Sequence, residues 1–197
     1  TIGIYNDSDY MAKDISKDLT EFTISNDKIN CNIGNTAFIY NSLVAYVFGK
    51  LCNVDNENIK DGIKNFKLTS NRLEFKKLNN DITLIDDTYN ASLDSIKSSL
   101  EILVEQETAR RIAVIGDVLE LGKFSESIHE EIGKLLFDSN IDFIITVGNE
   151  TKYTDRYLKN MGYTNLMHFD NEKDTYEYIS NLLKSGDTIL FKGSHGM

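Results

Sequence analysis

Arg111-Ile112-Ala113-Val114-Ile115-Gly116 and Phe143-Ile144-Ile145-Thr146-Val147-Gly148 are the two stretches whose reading decides the fold. Each is a short, nearly unbroken apolar run that stops at glycine. That is the pattern of a strand buried on both faces, not of one with a wet side. Residues 127–137, between them, read as a helix. A buried strand, a helix and a second buried strand form the βαβ unit of a parallel sheet.

The same alternation extends outward. Ile82-Thr83-Leu84-Ile85-Asp86 reads as a strand, and residues 93–105 as a helix with Ile96, Leu100 and Leu103 on one face. Downstream, residues 153–161 and 175–184 read as helices, and Thr188-Ile189-Leu190-Phe191-Lys192 as the last strand. The expected class over residues 68–197 is α/β: a Rossmann-like, mostly parallel sheet with helices on both faces. Residues 1–67 have a different texture. Thr20-Glu21-Phe22-Thr23-Ile24-Ser25 alternates as a half-buried strand does, and Asn26-Asp27 offers a turn before 28–33. Residues 37–51 repeat apolar side chains at helical spacing, and 57–65 form a shorter helix carrying Ile59 and Ile63. Residues 67–71 read as a polar linker between two domains.

Composition sets outer bounds. The 197 residues are 41% hydrophobic and 26% charged, as in ordinary globular domains. A net charge of -10 weighs against non-specific nucleic-acid binding, which needs Lys and Arg to neutralise phosphates. Cys31 and Cys52 sit in no metal-ligand spacing, so a reduced, cytoplasmic protein with both thiols as packing residues is expected. No apolar run is long enough to span a bilayer, and no signal peptide opens the chain. Thr1 stands where a Met would start a gene product, so the expectation is a piece of a larger protein. Proline is absent, which leaves turns to Gly, Asn, Asp and Ser. Neither GxxxxGK[ST] nor GxGxxG occurs, so no complete nucleotide-binding site is legible.

In a parallel sheet, ligands bind beyond the carboxyl ends of the strands. Four loops lie there. In Asp86-Asp87-Thr88-Tyr89-Asn90, the paired carboxylates can bind a ribose or a metal, or Asp87 or Asn90 can cap the next helix. In Gly116-Asp117-Val118-Leu119-Glu120-Leu121-Gly122, the glycine permits close approach, and Asp117 and Glu120 can bond an ammonium group or merely face solvent. Gly148-Asn149-Glu150-Thr151 reads as a helix start. Lys192-Gly193-Ser194-His195-Gly196 can cradle a carboxylate or phosphate. Arg72, at the junction, can reach a phosphate across a cleft or be an ordinary surface residue. His129, beside Glu130 and Glu131, is expected on a solvated helix face, with acid/base work as the alternative for it and for His195.

Taken together these stretches resemble the Mur ligases, in particular those that add D-Ala-D-Ala. Asp86-Asp87-Thr88-Tyr89-Asn90-Ala91 with Asp94-Ser95 is similar to the family's DD-S/T-YNANPDS. Ile115 to Gly122, followed by Ser125 and His129, resembles LGDMLELG…S…H; Gly186-Asp187 through Lys192-Gly193-Ser194 resembles GD-x-x-L-x-KGS. Asn71-Arg72-Leu73-Glu74 resembles GRLE, and Tyr40-Asn41-Ser42-Leu43-Val44-Ala45 resembles YNALAA. The departures are Ser92 and Leu93 for Asn and Pro, Asn71 for Gly, and Ala37 for a His.

The resemblance implies a three-domain enzyme using ATP and Mg2+ in peptidoglycan precursor synthesis. Residues 1–67 would be the C-terminal remnant of its α/β ATP-binding domain, and 68–197 its C-terminal domain. ATP would phosphorylate the terminal carboxylate of UDP-N-acetylmuramoyl-tripeptide, and the D-Ala-D-Ala amine would displace phosphate. By resemblance, Arg72 would be catalytic at the γ-phosphate, Asp87 would bind ribose and Asn41 adenine. Tyr89, Asn90, Asp117, Glu120 and Ser194 would shape the dipeptide pocket. Without a phosphate loop the fragment is expected to be inactive alone. The competing reading is a non-catalytic Rossmann-like module that binds a small ligand or regulates.

Overall fold

The computed structural model describes residues 1–67 and 70–197. The chain divides into two compact units, Thr1–Lys67 and Leu68–Met197. The linker expected over 67–71 falls partly on residues 68 and 69, which lie outside the described residues.

The first unit contains β1 (Ile2–Gly3), β2 (Tyr10–Lys13), β3 (Glu21–Ile24), β4 (Asp27–Asn30), α1 (Thr36–Leu51) and α2 (Asn56–Lys64). The strands lie in that order; β1 pairs with β2 in parallel, and the other two pairings are antiparallel. Ile24 opposes Asp27, so Ser25 and Asn26 alone make the hairpin loop. Both have positive φ, 48° and 84°, as a type I′ turn demands. The turn therefore sits one residue earlier than the Asn26-Asp27 reading. Asp27 joins the strand instead, and its carboxylate accepts from Tyr46 Oη and Asn56 Nδ2, each at 2.6 Å. Phe22, Ile24 and Ile29 pack with Ile39, Leu43 and Tyr46 of α1 to form the core. Cys31 is buried as expected, and burial pushes its thiol above the usual range. Cys52 is not: it caps the end of α1 in the open.

The second unit contains β5 (Glu74–Lys77), β6 (Thr83–Asp87), α3 (Leu93–Val104), β7 (Arg110–Gly116), α4 (Ser125–Asp138), β8 (Phe143–Val147), α5 (Lys152–Asn160), β9 (Leu166–Phe169), α6 (Glu172–Leu182) and β10 (Asp187–Lys192). The sheet order is β5-β6-β10-β7-β8-β9, parallel throughout except for β5. The α/β class with a mostly parallel sheet is thus the observed one. The sequence reading overlooked only the two edge strands of this sheet. Both are four residues long, and β5, Glu-Phe-Lys-Lys, carries three charged side chains; short length and edge lysines are how sheet edges are kept from pairing further.

Crossovers between parallel strands are right-handed. From β6 through β7 and β8 to β9 the chain moves one way across the sheet, so α3, α4 and α5 share a face. It returns to β10 the other way, so α6 lies on the opposite face. Ile179, Leu182 and Leu183, at the end of α6 and just beyond it, accordingly pack with Ile112, Val114 and Ile189.

Two departures from the family pattern have local explanations. Ser92 caps α3 in a capping box: its hydroxyl accepts from Ser95 N at 3.3 Å, and Ser95 Oγ accepts from Ser92 N at 2.9 Å. Leu93 is then the first helical residue, where proline is tolerated but not needed. Asn71 has φ 59°, a left-handed conformation that Asn adopts more readily than other non-glycine residues.

Burial, then the hydrogen bond to Asp27, pushes the Tyr46 phenol up to about 12 from an ordinary 10.0. The folded state therefore holds this proton more tightly than the unfolded chain does. That contribution is present below pH 10 and is lost as pH rises toward 12. Urea unfolding across that range is expected to show a steeper loss of stability in the native chain than in Tyr46→Phe.

Candidate functional site

Parallel pairing sets the ends of β6, β7, β8 and β10 at one edge of the second unit. Asp87 and Lys192 close adjacent strands and are register partners. Side-chain parity directs both toward the α3 face. Lys192 Nζ lies 2.7 Å from Asp87 Oδ2, and both residues are buried. Ser99 of α3 donates its hydroxyl to Asp87 Oδ2 at 2.5 Å, and Leu73 N donates to Oδ1 at 3.2 Å. Lys192 also donates to the carbonyls of Asn90 at 2.7 Å and Asp87 at 3.4 Å. Burial holds the Lys192 ammonium below the ordinary lysine value, against the pull of Asp87.

A second bracing cluster lies one strand over. Asp117 is 7% exposed, and its carboxylate accepts from three successive backbone N–H groups: Asn149 at 3.0 Å, Glu150 at 2.9 Å and Thr151 at 2.8 Å. The start of α5 is thus capped by the loop after β7. Residues 148–151 do lead into a helix, as read, but the Thr151 side chain makes no capping bond. Gly148, φ +116°, is required twice over, because a Cβ there would lie 2.5 Å from the Asp117 carboxylate. Ser194 N donates to Asp117 O at 3.1 Å, and Ser194 Oγ accepts from Leu119 N at 2.9 Å. Gly116 does allow close approach, but of the chain itself: an added Cβ would meet Met197 Sδ at 2.5 Å and Gly193 Cα at 3.4 Å.

His129 overturns its expectation of a solvated face, being fully buried. Its Nε2 accepts from Val118 N at 3.1 Å, so the ring proton belongs on Nδ1, 2.8 Å from Ser125 O. It ties α4 to the loop after β7. The capping reading of Asp87 and Asn90 is also replaced, by Ser92.

The remaining expected residues are exposed. The Arg72 guanidinium carbon lies 4.0 Å from the Tyr89 ring centroid, and the His195 ring 5.8 Å from it. Asn90 Oδ1 accepts from Ala91 N at 2.9 Å. Glu120, with φ 64°, stands open in the loop after β7. In the first unit, Asn41 is exposed on α1. A cavity of about 740 Å³ opens beside this edge, on the α6 face. Leu84, Val114, Ile179 and Phe191 make its wall, with Thr88 and His195 also lining it.

The candidate residues therefore divide into two layers. Asp87, Asp117 and Ser194 are buried, with their polar atoms bonded inside the domain; Arg72, Tyr89, Asn90 and Glu120 face solvent. Ser99 carried no sequence signal. Lys192, read as part of a cradle, is a structural partner; its signal was a charge ending a buried strand on the same face as Asp87. Among the described residues, no group of three His, Cys, Asp or Glu side chains is placed to hold a metal ion. None of the described helices is long and apolar enough to cross a membrane.

The six-stranded, mostly parallel sheet with its loops gathered at the strand ends defines an α/β domain of the doubly wound kind. The family model described as "Mur ligase, glutamate ligase domain" matches residues 71–195, and the chain belongs to the Mur ligase family. It is 31% identical over its whole length to the UDP-N-acetylmuramoyl-tripeptide–D-alanyl-D-alanine ligase of Bacillus subtilis and spans 44% of that relative. A crystal structure of MurF from Acinetobacter baumannii superposes with a TM-score of 0.84 at 25% identity, covering 95% of this chain and 42% of that one. MurF from Thermotoga maritima in complex with ADP shares the fold, with a TM-score of 0.74 at 22% identity, covering 95% and 43%.

Removing one partner of a buried ion pair leaves the other charge uncompensated, at a cost of about 3–5 kcal/mol. Lys192→Met is expected to destabilise the second unit by about that much in urea unfolding, and Lys192→Met with Asp87→Leu by less than Lys192→Met alone. For the glycines, Gly148→Ala is expected to lower the melting temperature more than Gly162→Ala. Both have positive φ, but a Cβ at Gly162 meets nothing within 4 Å. Equal effects would mean that Asp117 yields freely.

Proposed function

We propose that this chain is part of an ATP-dependent ligase, cytoplasmic, that joins D-Ala-D-Ala to UDP-N-acetylmuramoyl-tripeptide. Residues 1–67 are the tail of its ATP-binding domain, and 68–197 its C-terminal domain. The observation that carries the reading is Arg72: exposed, in no ion pair among the described residues, and held at the strand ends of a Mur ligase domain. The names of its relatives, and ADP beside the Thermotoga protein, supply the chemistry.

ATP provides the phosphoryl group that turns the tripeptide's terminal carboxylate into an acyl phosphate. In that step negative charge spreads over the transferring group, and a guanidinium presents five fixed donors to it. Asn41 is assigned to adenine. Asn90 and Glu120 are exposed side chains assigned to the dipeptide. Asp87, Asp117 and Ser194 shape the site indirectly, since their polar atoms are bonded within the domain. Mg2+ belongs to the rest of the enzyme in this reading, and the residues described here take no step through it.

Phosphate release by the full-length ligase with ATP, Mg2+ and the nucleotide-tripeptide is expected to depend on D-Ala-D-Ala. Arg72→Ala is expected to slow it about 10²-fold or more, the scale seen when one preorganised donor to a developing charge is removed. Arg72→Lys restores little, because an ammonium lacks the fork. Release independent of the dipeptide, or unaffected by Arg72→Ala, would return this domain to the class of small-ligand modules.

A further inference from the structure

We infer that Tyr89 is a positioning residue for Arg72, acting on phosphoryl transfer and not on dipeptide binding. The inference deepens the ligase reading above and rests on it. One contact joins the two side chains, and two more hold the backbone on either side of Arg72. The guanidinium lies 4.0 Å from the Tyr89 ring centroid. On one side of Arg72, Asn71 O accepts from Tyr89 N at 2.9 Å; on the other, Leu73 N donates to Asp87 at 3.2 Å. Asn71 and Leu73 both hold positive φ, 59° and 48°, so the backbone around Arg72 is sharply bent, pinned on one flank to Tyr89 and on the other to the end of β6 just before it.

The ring fixes the guanidinium in a way a carboxylate does not. Among the described residues, the ion pairs of this unit engage Lys76, Lys77, Arg110, Arg156, Lys159, His168 and Lys192, and Arg72 is not among them. A carboxylate would neutralise the arginine and occupy its donors. An aromatic face attracts the cation electrostatically and leaves all five N–H groups free for an incoming phosphoryl group. The arginine is thereby narrowed in its rotamers while its charge remains available. Tyr89 is itself half exposed, so its side chain adds little to the core.

The test separates the two half-reactions in the full-length ligase. Without dipeptide, a tripeptide carboxylate oxygen attacks the γ-phosphorus, the bond to the β,γ-bridging oxygen breaks and ADP leaves. Added hydroxylamine then displaces phosphate through its nitrogen, which loses a proton to solvent, and the hydroxamate is measured. Tyr89→Leu is expected to slow hydroxamate formation about fivefold, the scale of an exposed cation–π contact, with an unchanged melting temperature and an unchanged KM for D-Ala-D-Ala. Tyr89→Phe keeps the ring and stays within about twofold. In an Arg72→Ala background, Tyr89→Leu has no further effect. A raised dipeptide KM with normal hydroxamate formation would overturn the inference and put Tyr89 in the dipeptide pocket. So would a full additional loss in the Arg72→Ala background. If Arg72→Ala slows hydroxamate formation and Tyr89→Leu does not, the inference alone fails; if Arg72→Ala changes nothing, the ligase role of Arg72 fails with it.

Discussion

The ion pair between Asp87 and Lys192 is the constraint on which the site depends. Two charges close adjacent strands on the same face, where burial would make either one alone costly. Each therefore fixes the other, and their remaining bonds reach outward. Asp87 takes the Ser99 hydroxyl from α3 and the Leu73 amide from the chain entering β5. Lys192 takes the Asn90 carbonyl from the loop after β6. One pair thus sets the spacing of strand, helix and loop just below the surface where Arg72 and Tyr89 stand.

Asp117 does equivalent work on the other side of β10. Its three amide donors tie the loop after β8 to the loop after β7, and its carbonyl binds Ser194 from the loop after β10. The result is a rim braced by hydrogen bonds within the domain. A site that must meet a phosphoryl group loses least when its geometry exists beforehand, because no reorganisation then opposes the reaction. Buried carboxylates at the strand ends form the frame of this domain, and in the proposed ligase reading the exposed arginine and aromatic ring are its working surface.

Much of this fold was legible in the sequence because the inner strands are uniform. Ile112 to Ile115 and Ile144 to Val147 admit no amphipathic reading, and burial on both faces leaves a parallel sheet as the only economical arrangement. The edge strands were illegible for the converse reason: Glu74–Lys77 is short and charged. Which loops lie at the strand ends was legible, but what their residues touch was not. An aspartate that accepts backbone amides and an aspartate that accepts a ligand have the same letter and the same place in a motif. His129 shows the limit most clearly, since Glu130 and Glu131 beside it suggested solvent while the helix turned it fully inward. Only tertiary contacts, such as the Val118 amide, distinguish these cases.

The close fit of Asp117 against Gly148 has a bearing on how such domains diverge. The space a side chain at 148 would need is filled by the carboxylate at 117. Neither position can drift alone: a larger residue at 148 collides with the aspartate, and a shorter one at 117 strands three amides. The two positions, 31 residues apart, constitute a single unit of inheritance, and lineages that alter one are expected to have rebuilt the other in the same episode.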